Sequence, residues 1–299
     1  MAKSIGYIGL GAMGAPMLMR LAEGRSSDQV FGYDLSPGVT ARACGNAGAT
    51  ACASIAEIVA ASEILFSCVP NNDVLREVYL GDGGVISAAH PGTVTIDCST
   101  VGPDVTTEVH RALAAKDVSH LDASMLGSVK QANEGTISFV VGGEAEALEI
   151  ARPALEKVGG LIRHCGPSGA GNQMKLLHQI LVAGHAVAVA ETMALCEHVG
   201  ADAGAFYDIV TQGTGFAYSR YFENRVPRMN DGDYSPLFML KFMLKDARLA
   251  RAMTETSGTL PALDAVIATL ESGDENGMGD EDFSSAMKVA LGRFEAAKA

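Results

Sequence analysis

The sequence predicts an α/β fold: a Rossmann-type, doubly wound, mostly parallel sheet followed by an all-helical C-terminal domain. Three observations carry that expectation. Short apolar runs alternate with helix-period segments over the first 165 residues. A Gly-x-Gly-x-x-Gly turn joins the first apolar run to the first helical pattern. Strand signals then stop after Gly166, and only helical periodicity follows. The expected division is a dinucleotide-binding domain over 1–165 and a helical substrate and dimerisation domain over 166–299.

In chain order, the expected strands are Ser4–Ile8, Gln29–Tyr33, Ile64–Val69, Thr93–Asp97, Val118–Asp122, Ile137–Val141 and Leu161–Cys165. Between them, helical spacing covers Ala12–Glu23, Ile55–Ala61, Asp104–Ala115 and Glu144–Val158. Beyond Gly166 the expected helices are a long one over about 171–199, then Ala203–Val210, Leu237–Thr256, Ala262–Glu271 and Ser284–Ala297. The long helix is expected at the seam between the domains. Seams of this kind are the default place for a small-molecule cleft.

The bulk composition narrows the function. The chain has 299 residues, 48% hydrophobic and 19% charged, with no repeat or low-complexity stretch. A net charge of −13 argues against nucleic acid or an anionic membrane as a partner, since either needs a basic surface. The apolar run at Ile5–Ile8 is too short for a secretory leader and enters a glycine loop directly. Six scattered cysteines without a Cys-x-x-Cys pair suggest reduced thiols and a cytoplasmic protein. No spacing suits a metal site or a Gly-x-Ser-x-Gly nucleophile.

Gly9-Leu-Gly11-Ala12-Met13-Gly14 is the first chemical signal. Its first glycine permits a tight turn, its second lets backbone approach a pyrophosphate, and its third lets helix and strand pack closely. The helix start offers N–H donors to the anion. Asp34 ends the second expected strand twenty residues after Gly14, where an acid accepts hydrogen bonds from an adenosine ribose and repels a 2′-phosphate. NAD is therefore the expected cofactor, with NADP as the alternative. Two further strand ends point at the same crevice: Val69-Pro70-Asn71 on the adenosine side, and Ser99-Thr100 with hydroxyls toward the nicotinamide ribose. Each could equally be a helix cap or a turn.

The long helix carries the second signal. Lys175, His178, Gln179, Val182 and Ala186 recur every three or four residues and share one face. The residues after Gln179 are apolar nearly all round, which describes a helix buried on most sides. Gln179, His185 and Glu191 interrupt it as a membrane span. A lysine one turn inside a buried helix loses water, so its neutral form gains and it can act as a general base. The competing reading is a lysine snorkelling from the helix end. His178 and His185, seven apart, read as core histidines in preference to ligands.

The loop Gly9–Met17, Asp97-Cys-Ser-Thr100, Gly169-x-Gly171-x-x-x-Lys175 and Lys245-Asp246 occur in this order over nearly the whole chain. Together they resemble the β-hydroxyacid dehydrogenases, relatives of 3-hydroxyisobutyrate and 6-phosphogluconate dehydrogenases. The resemblance implies NAD(P)-dependent oxidation of a hydroxy acid, a homodimer or homotetramer built through the helical domains, and Lys175 as the catalytic lysine. It implies Gln179 beside that lysine, in the place the family usually gives to asparagine, and Lys245 closing over the nicotinamide. It also implies substrate contacts from Ser99, Leu126, Gly127, Ser128, His178 and Phe238.

Within the family, Lys175–His185 and Phe222–Pro227 look most like the L-threonate dehydrogenase branch. The substrate loop departs from its usual Asp-Ala-Pro-Val-Ser-Gly-Gly. Here it reads Asp122-Ala-Ser-Met-Leu126-Gly127-Ser128, so a leucine stands where a serine would meet the substrate carboxylate. Gly127 backbone and the Ser128 hydroxyl are the expected replacements, and Leu126 fits a bulkier, less polar substrate. Keto or imine reductases on the same scaffold usually lack the lysine, so its presence argues against that alternative. A non-catalytic dinucleotide sensor would show an altered lysine or glycine loop, and both are intact.

Overall fold

The computed structural model describes residues 3–254 and 258–296, in two compact units, Met1–Lys175 and Leu176–Ala299. The first unit is built on one eight-stranded sheet. Its strands are β1 Ile5–Ile8, β2 Val30–Tyr33, β3 Thr50–Ala51, β4 Ile64–Ser67, β5 Val94–Asp97, β6 Ser119–Leu126, β7 Ile137–Gly142 and β8 Gly159–Gly166. They lie in the order β3-β2-β1-β4-β5-β6-β7-β8, and every pair is parallel except β6 with β7.

The apolar runs become inner strands because helices cover both faces. Every residue of β1, β4 and β5 is buried. On one face Leu18, Leu21, Leu148 and Leu155 pack against Tyr7, Phe66 and Phe139. On the other, Ile58, Leu75, Val105 and Val109 pack against Ile8 and Leu65. The chain order reverses at β1, which has β2 on one side and β4 on the other. That reversal opens a crevice at the carboxyl ends of the strands. Register fixes what meets there: Ile8 stands opposite Tyr33 and Ser67, and Ser67 opposite Asp97. The next residues, Gly9, Asp34, Cys68 and Cys98, therefore line up along one edge.

Several elements escape the sequence pattern. The Pro37–Ala47 helix contains Gly38 and Gly45 and buries only Thr40, Ala43 and Cys44, so its apolar stripe is faint. Asn72–Leu80 starts from a side-chain cap, the Asn71 Oδ1 accepting from Val74 N–H, where the sequence suggested a strand end. The two-residue β3 and the short helices Val85–Ala88 and Val129–Glu134 are too brief to show a period.

The second unit contains the rest of the Ala170–His198 helix with Ala203–Gln212, Arg220–Asn230, Leu240–Ala252, Pro261–Gly273 and Ala286–Ala296. Small residues on the long helix, Ala183, Ala186, Ala190 and Ala194, are fully buried and let its neighbours approach closely. Arg220–Asn230 was not expected, since Pro227 lies inside it. Proline leaves the carbonyl four residues back without its helical partner. The Tyr207 hydroxyl donates to that carbonyl, at Glu223, over 3.2 Å. The expected helix ends at Thr256 and Ala297 lie outside the described residues.

The long helix is less buried than its composition suggested. By length and apolar content it could cross a membrane, with a mean hydropathy of 1.5, yet 44% of that stretch is buried within the protein. His178 and His185 are both exposed, which corrects the expectation that they are core histidines. Leu177, Leu181 and Leu195 share that exposed side at 51%, 63% and 47%. An all-round apolar helix therefore presents one apolar stripe outward.

Candidate active site

The glycine loop is held by backbone packing. Gly9 has φ +88°, and a methyl group there would run into the Cys68 carbonyl. A methyl at Gly14 would run into the Gly9 carbonyl. Gly11 differs: among the described residues, nothing beyond its chain neighbours lies within 4 Å of the position a methyl would take. Two glycines are thus required by the fold, while the middle one faces open space, as a cradle for a pyrophosphate does. Ala12 is exposed beside it, and Met13 precedes the Gly14–Ala22 helix without a side-chain cap. The residues present fit a dinucleotide.

Asp34 closes the loop from β2. Its Oδ2 accepts from Leu10 N–H at 2.9 Å and its Oδ1 from Ser36 N–H at 2.9 Å. A carboxylate has about four acceptor positions, so both oxygens keep capacity for ribose hydroxyls.

Behind the crevice lies a buried polar chain that the sequence did not reveal. Asp97 is fully buried, and its Oδ1 accepts from the hydroxyls of Ser67 at 2.7 Å and Ser99 at 2.6 Å. Ser67 also bonds the Tyr79 hydroxyl at 2.9 Å, and Ser99 Oγ accepts from Val69 N–H at 2.8 Å. Asp97 Oδ2 has no partner among the described residues. Loss of water pushes its pKa up to about 6 against the pull of the serine hydroxyls. The Ser99 hydroxyl, expected to face a ligand, is thus engaged with Asp97 and Val69 in a residue only 1% exposed. Its effect is to tie β4 to β5. Asn71 is taken up in the same way as a helix cap, while Pro70 is exposed and Thr100 half-buried.

Asp122 stands opposite Asp97 in register and does a different task. Its Oδ1 accepts from Gly169 N–H at 2.9 Å, and its Oδ2 from Asn172 N–H at 2.8 Å. These are N–H groups at the start of the Ala170–His198 helix, which have no partner within the helix. A carboxylate there also complements the helix dipole. Burial raises the Asp122 pKa to about 6, and those N–H groups oppose the rise. The close approach needs Gly171, where a methyl would stand 2.5 Å from the Asp122 carbonyl. This explains the second glycine of the Gly169-x-Gly171 turn.

One turn further on, Lys175 is buried, at 9% exposure. Gln179 lies a turn beyond it, 3% exposed, and its Nε2 donates to Asp246 Oδ2 at 2.7 Å. Its Oε1 lies 3.3 Å from His178 Nδ1. Asp246 is buried and pairs with Lys245 at 3.0 Å. Asp246 was legible only as part of the Lys245-Asp246 pair; its bond to Gln179 spans 67 residues of sequence.

At the end of β6, Leu126 is half-buried opposite Ser138, and Gly127 is exposed with φ +155°. Ser128 forms a capping box: its hydroxyl and its N–H both reach Gln131 Oε1, at 2.6 and 2.9 Å. Ser128 therefore starts the Val129–Glu134 helix, and its hydroxyl is not held ready for a substrate. Phe238 is half-buried against Phe242 and Phe283, with its N–H fixed by the buried Asp282 at 3.0 Å.

Residues 4–166 match the NAD-binding domain of 6-phosphogluconate dehydrogenase. Residues 169–290 match the NAD-binding domain of NADP-dependent 3-hydroxyisobutyrate dehydrogenase. The chain belongs to the 3-hydroxyisobutyrate dehydrogenase-like β-hydroxyacid dehydrogenases. Members of this family are NAD(P)-dependent oxidoreductases acting on a CH–OH group, and this chain is one of them. It is 33% identical to the NAD-dependent L-serine dehydrogenase of Pseudomonas aeruginosa, covering 96% of this chain and 97% of that one. It is also 33% identical to the L-threonate dehydrogenase of Cupriavidus necator, over 98% and 97%. A solved 3-hydroxyisobutyrate dehydrogenase of Mycobacterium tuberculosis with L-serine has TM-score 0.85 and 31% identity, over 96% of this chain and 99% of that one. Equal identity to serine and threonate enzymes leaves the β-hydroxyacid dehydrogenase branch open.

Proposed function

We propose that this dehydrogenase uses NAD to oxidise a small hydroxy acid of the threonate or 3-hydroxyisobutyrate type, with Lys175 as general acid and base. The observation that carries the reading is the placing of Lys175. It is a lysine, 9% exposed, one turn into a helix whose start is fixed by Asp122. Burial disfavours the ammonium form, and the neutral amine is the form a general base requires.

The nicotinamide, when bound, accepts the hydride from the carbinol carbon, or returns it in the reverse direction. Lys175 takes the hydroxyl proton as the carbonyl forms, and in reduction gives it back. Gln179 holds its place beside Lys175 through Asp246, so its amide orients the lysine or the substrate oxygen. The Gly9–Gly14 loop, Val69, Pro70, Asn71 and Thr100 line the cofactor, and Asp34 favours NAD by occupying the space of a 2′-phosphate. On the resemblance alone, Lys245 contacts the cofactor and His178 and Phe238 the substrate. Leu126 and the Gly127 backbone shape the substrate end.

We assign the outward stripe of Leu177, Leu181 and Leu195 to a homodimer or homotetramer contact, and the protein to the cytoplasm. The test is a screen of L-threonate, L-serine and 3-hydroxyisobutyrate with NAD and with NADP, following absorbance of the reduced cofactor. Turnover of one of these with NAD supports the reading. Reduction of an imine with no oxidation of any hydroxy acid overturns it.

A further inference from the structure

We propose that Asn172 is the positioning residue that sets Lys175 against the cofactor crevice, an inference that rests on the reading of Lys175 above. Asn172 is fully buried three residues before the lysine. Its Oδ1 accepts from Val101 N–H at 3.2 Å and from the Ser124 hydroxyl at 3.0 Å. Its Nδ2 donates to Thr106 Oγ1 at 3.0 Å. Its backbone N–H is already held by Asp122. One side chain therefore joins three places: the segment after β5 that carries Thr100, the strand β6, and the Pro103–Ala114 helix.

The Asp122 carboxylate bonds backbone N–H groups at the start of the Lys175 helix, and helix backbone lies within about 2.3 Å of the axis. Bonds near an axis resist withdrawal along it but resist rotation about it poorly. The Asn172 amide is bonded off the axis, on partners spread over three elements, and so fixes the rotation. A helix with its side chains is about 10–12 Å across, so a turn of about 10° moves a group at its surface by about 1 Å. Misplacement by about 1 Å costs on the order of 10²-fold in rate. Val101 follows Thr100 directly, so the same amide registers the lysine to the segment proposed to meet the nicotinamide ribose. Asn172 itself touches neither substrate nor cofactor.

The experiment compares Asn172→Ala, Thr106→Val, Ser124→Ala and Lys175→Ala with the wild type, using the hydroxy acid that the screen selects. Stopped-flow hydride transfer, KM, NADH affinity by fluorescence and the thermal midpoint are read for each. Asn172→Ala should slow hydride transfer by about 10²-fold. KM and NADH affinity should stay within about threefold of the wild type, and the full primary deuterium effect should appear in kcat. Thr106→Val and Ser124→Ala each remove one tie and should slow transfer by a smaller factor. A purely structural role would lower the thermal midpoint and leave the rate per bound cofactor unchanged, which overturns the proposal. If Asn172→Ala does not fold, wild-type rates per folded enzyme in both milder variants overturn it. Retained turnover in Lys175→Ala would instead remove the reading of the lysine. An inactive Lys175→Ala beside a fully active Asn172→Ala would leave that reading standing and refute the positioning role alone.

Discussion

Ser99 is bonded twice to Asp97, through its hydroxyl at 2.6 Å and its N–H at 3.3 Å, both to Oδ1. Oδ2 is buried with no partner among the described residues and is the natural seat of a proton. With its pKa raised from 3.8 to about 6, Asp97 binds a proton more tightly folded than unfolded. Stability from this group is therefore complete below about pH 4 and falls as pH rises to about 6.

Asp97→Asn keeps the serine partners and removes the titration. The difference in unfolding free energy, variant minus wild type, should rise from pH 4 to pH 6 by up to about 3 kcal/mol, two units at about 1.4 each. Urea unfolding at several pH values measures it, and a difference that stays constant contradicts the assignment. Asp122 titrates over the same window in both proteins and cancels to first order.

Gly11 and Gly14 separate folding from binding. Gly14→Ala drives a methyl into the Gly9 carbonyl and should destabilise the first unit by several kcal/mol. Gly11→Ala meets nothing within 4 Å among the described residues beyond its chain neighbours, and should leave the thermal midpoint within about 2 °C while weakening NADH by about tenfold or more. Fluorescence titration beside thermal unfolding reads both. Unchanged NADH affinity in Gly11→Ala would mean that the pyrophosphate does not lie there.

Asp34 should make NAD the better cofactor in kcat/KM, and Asp34→Arg should move the preference toward NADP. Leu10 and Ser36 lose their acceptor in that variant, so total activity should fall as well. Equal use of NAD and NADP by the unmodified enzyme contradicts the role of the acid.

Leu126 and Ser128, adjacent departures from the family loop, should behave differently. Leu126→Ser should shift kcat/KM away from the less polar hydroxy acids such as 3-hydroxyisobutyrate and toward L-threonate. Ser128→Ala should cost about 1 kcal/mol of stability by removing the capping box, with the substrate profile unchanged. Steady-state kinetics over a panel of hydroxy acids, with thermal unfolding, distinguishes them. An altered profile in Ser128→Ala would return the hydroxyl to the substrate.

What the sequence revealed follows from the range of the interactions. The glycine loop, the strand alternation and the lysine helix are local patterns, and β1, β4, β5 and the Ala170–His198 helix formed within a few residues of the expected limits. The second-layer contacts were not local. Asp97 with Ser67, Asp122 with Gly169 and Gln179 with Asp246 join residues 30, 47 and 67 apart, and no spacing rule announces them. Ser99 and Ser128 misled for a related reason. A hydroxyl at a strand end reads alike whether it meets a ligand, a carboxylate or a helix start. His178 and His185 lie outside because the run around them, apolar nearly all round in composition, turns one stripe outward.

Lys175 carries the account, and pre-steady-state hydride transfer across pH tests it most directly. Oxidation needs the neutral amine and reduction the ammonium, so oxidation should rise with pH and reduction should fall over the same interval. Lys175→Ala should bind NADH and fail to turn over. Lys175→Arg should fail too, since a guanidinium stays charged and cannot accept the proton. Loss of more than about 10²-fold in both variants, with NADH still bound, is the predicted result. A Lys175→Arg enzyme that kept above about a tenth of the wild-type rate, a barrier change under about 1.4 kcal/mol, would contradict it.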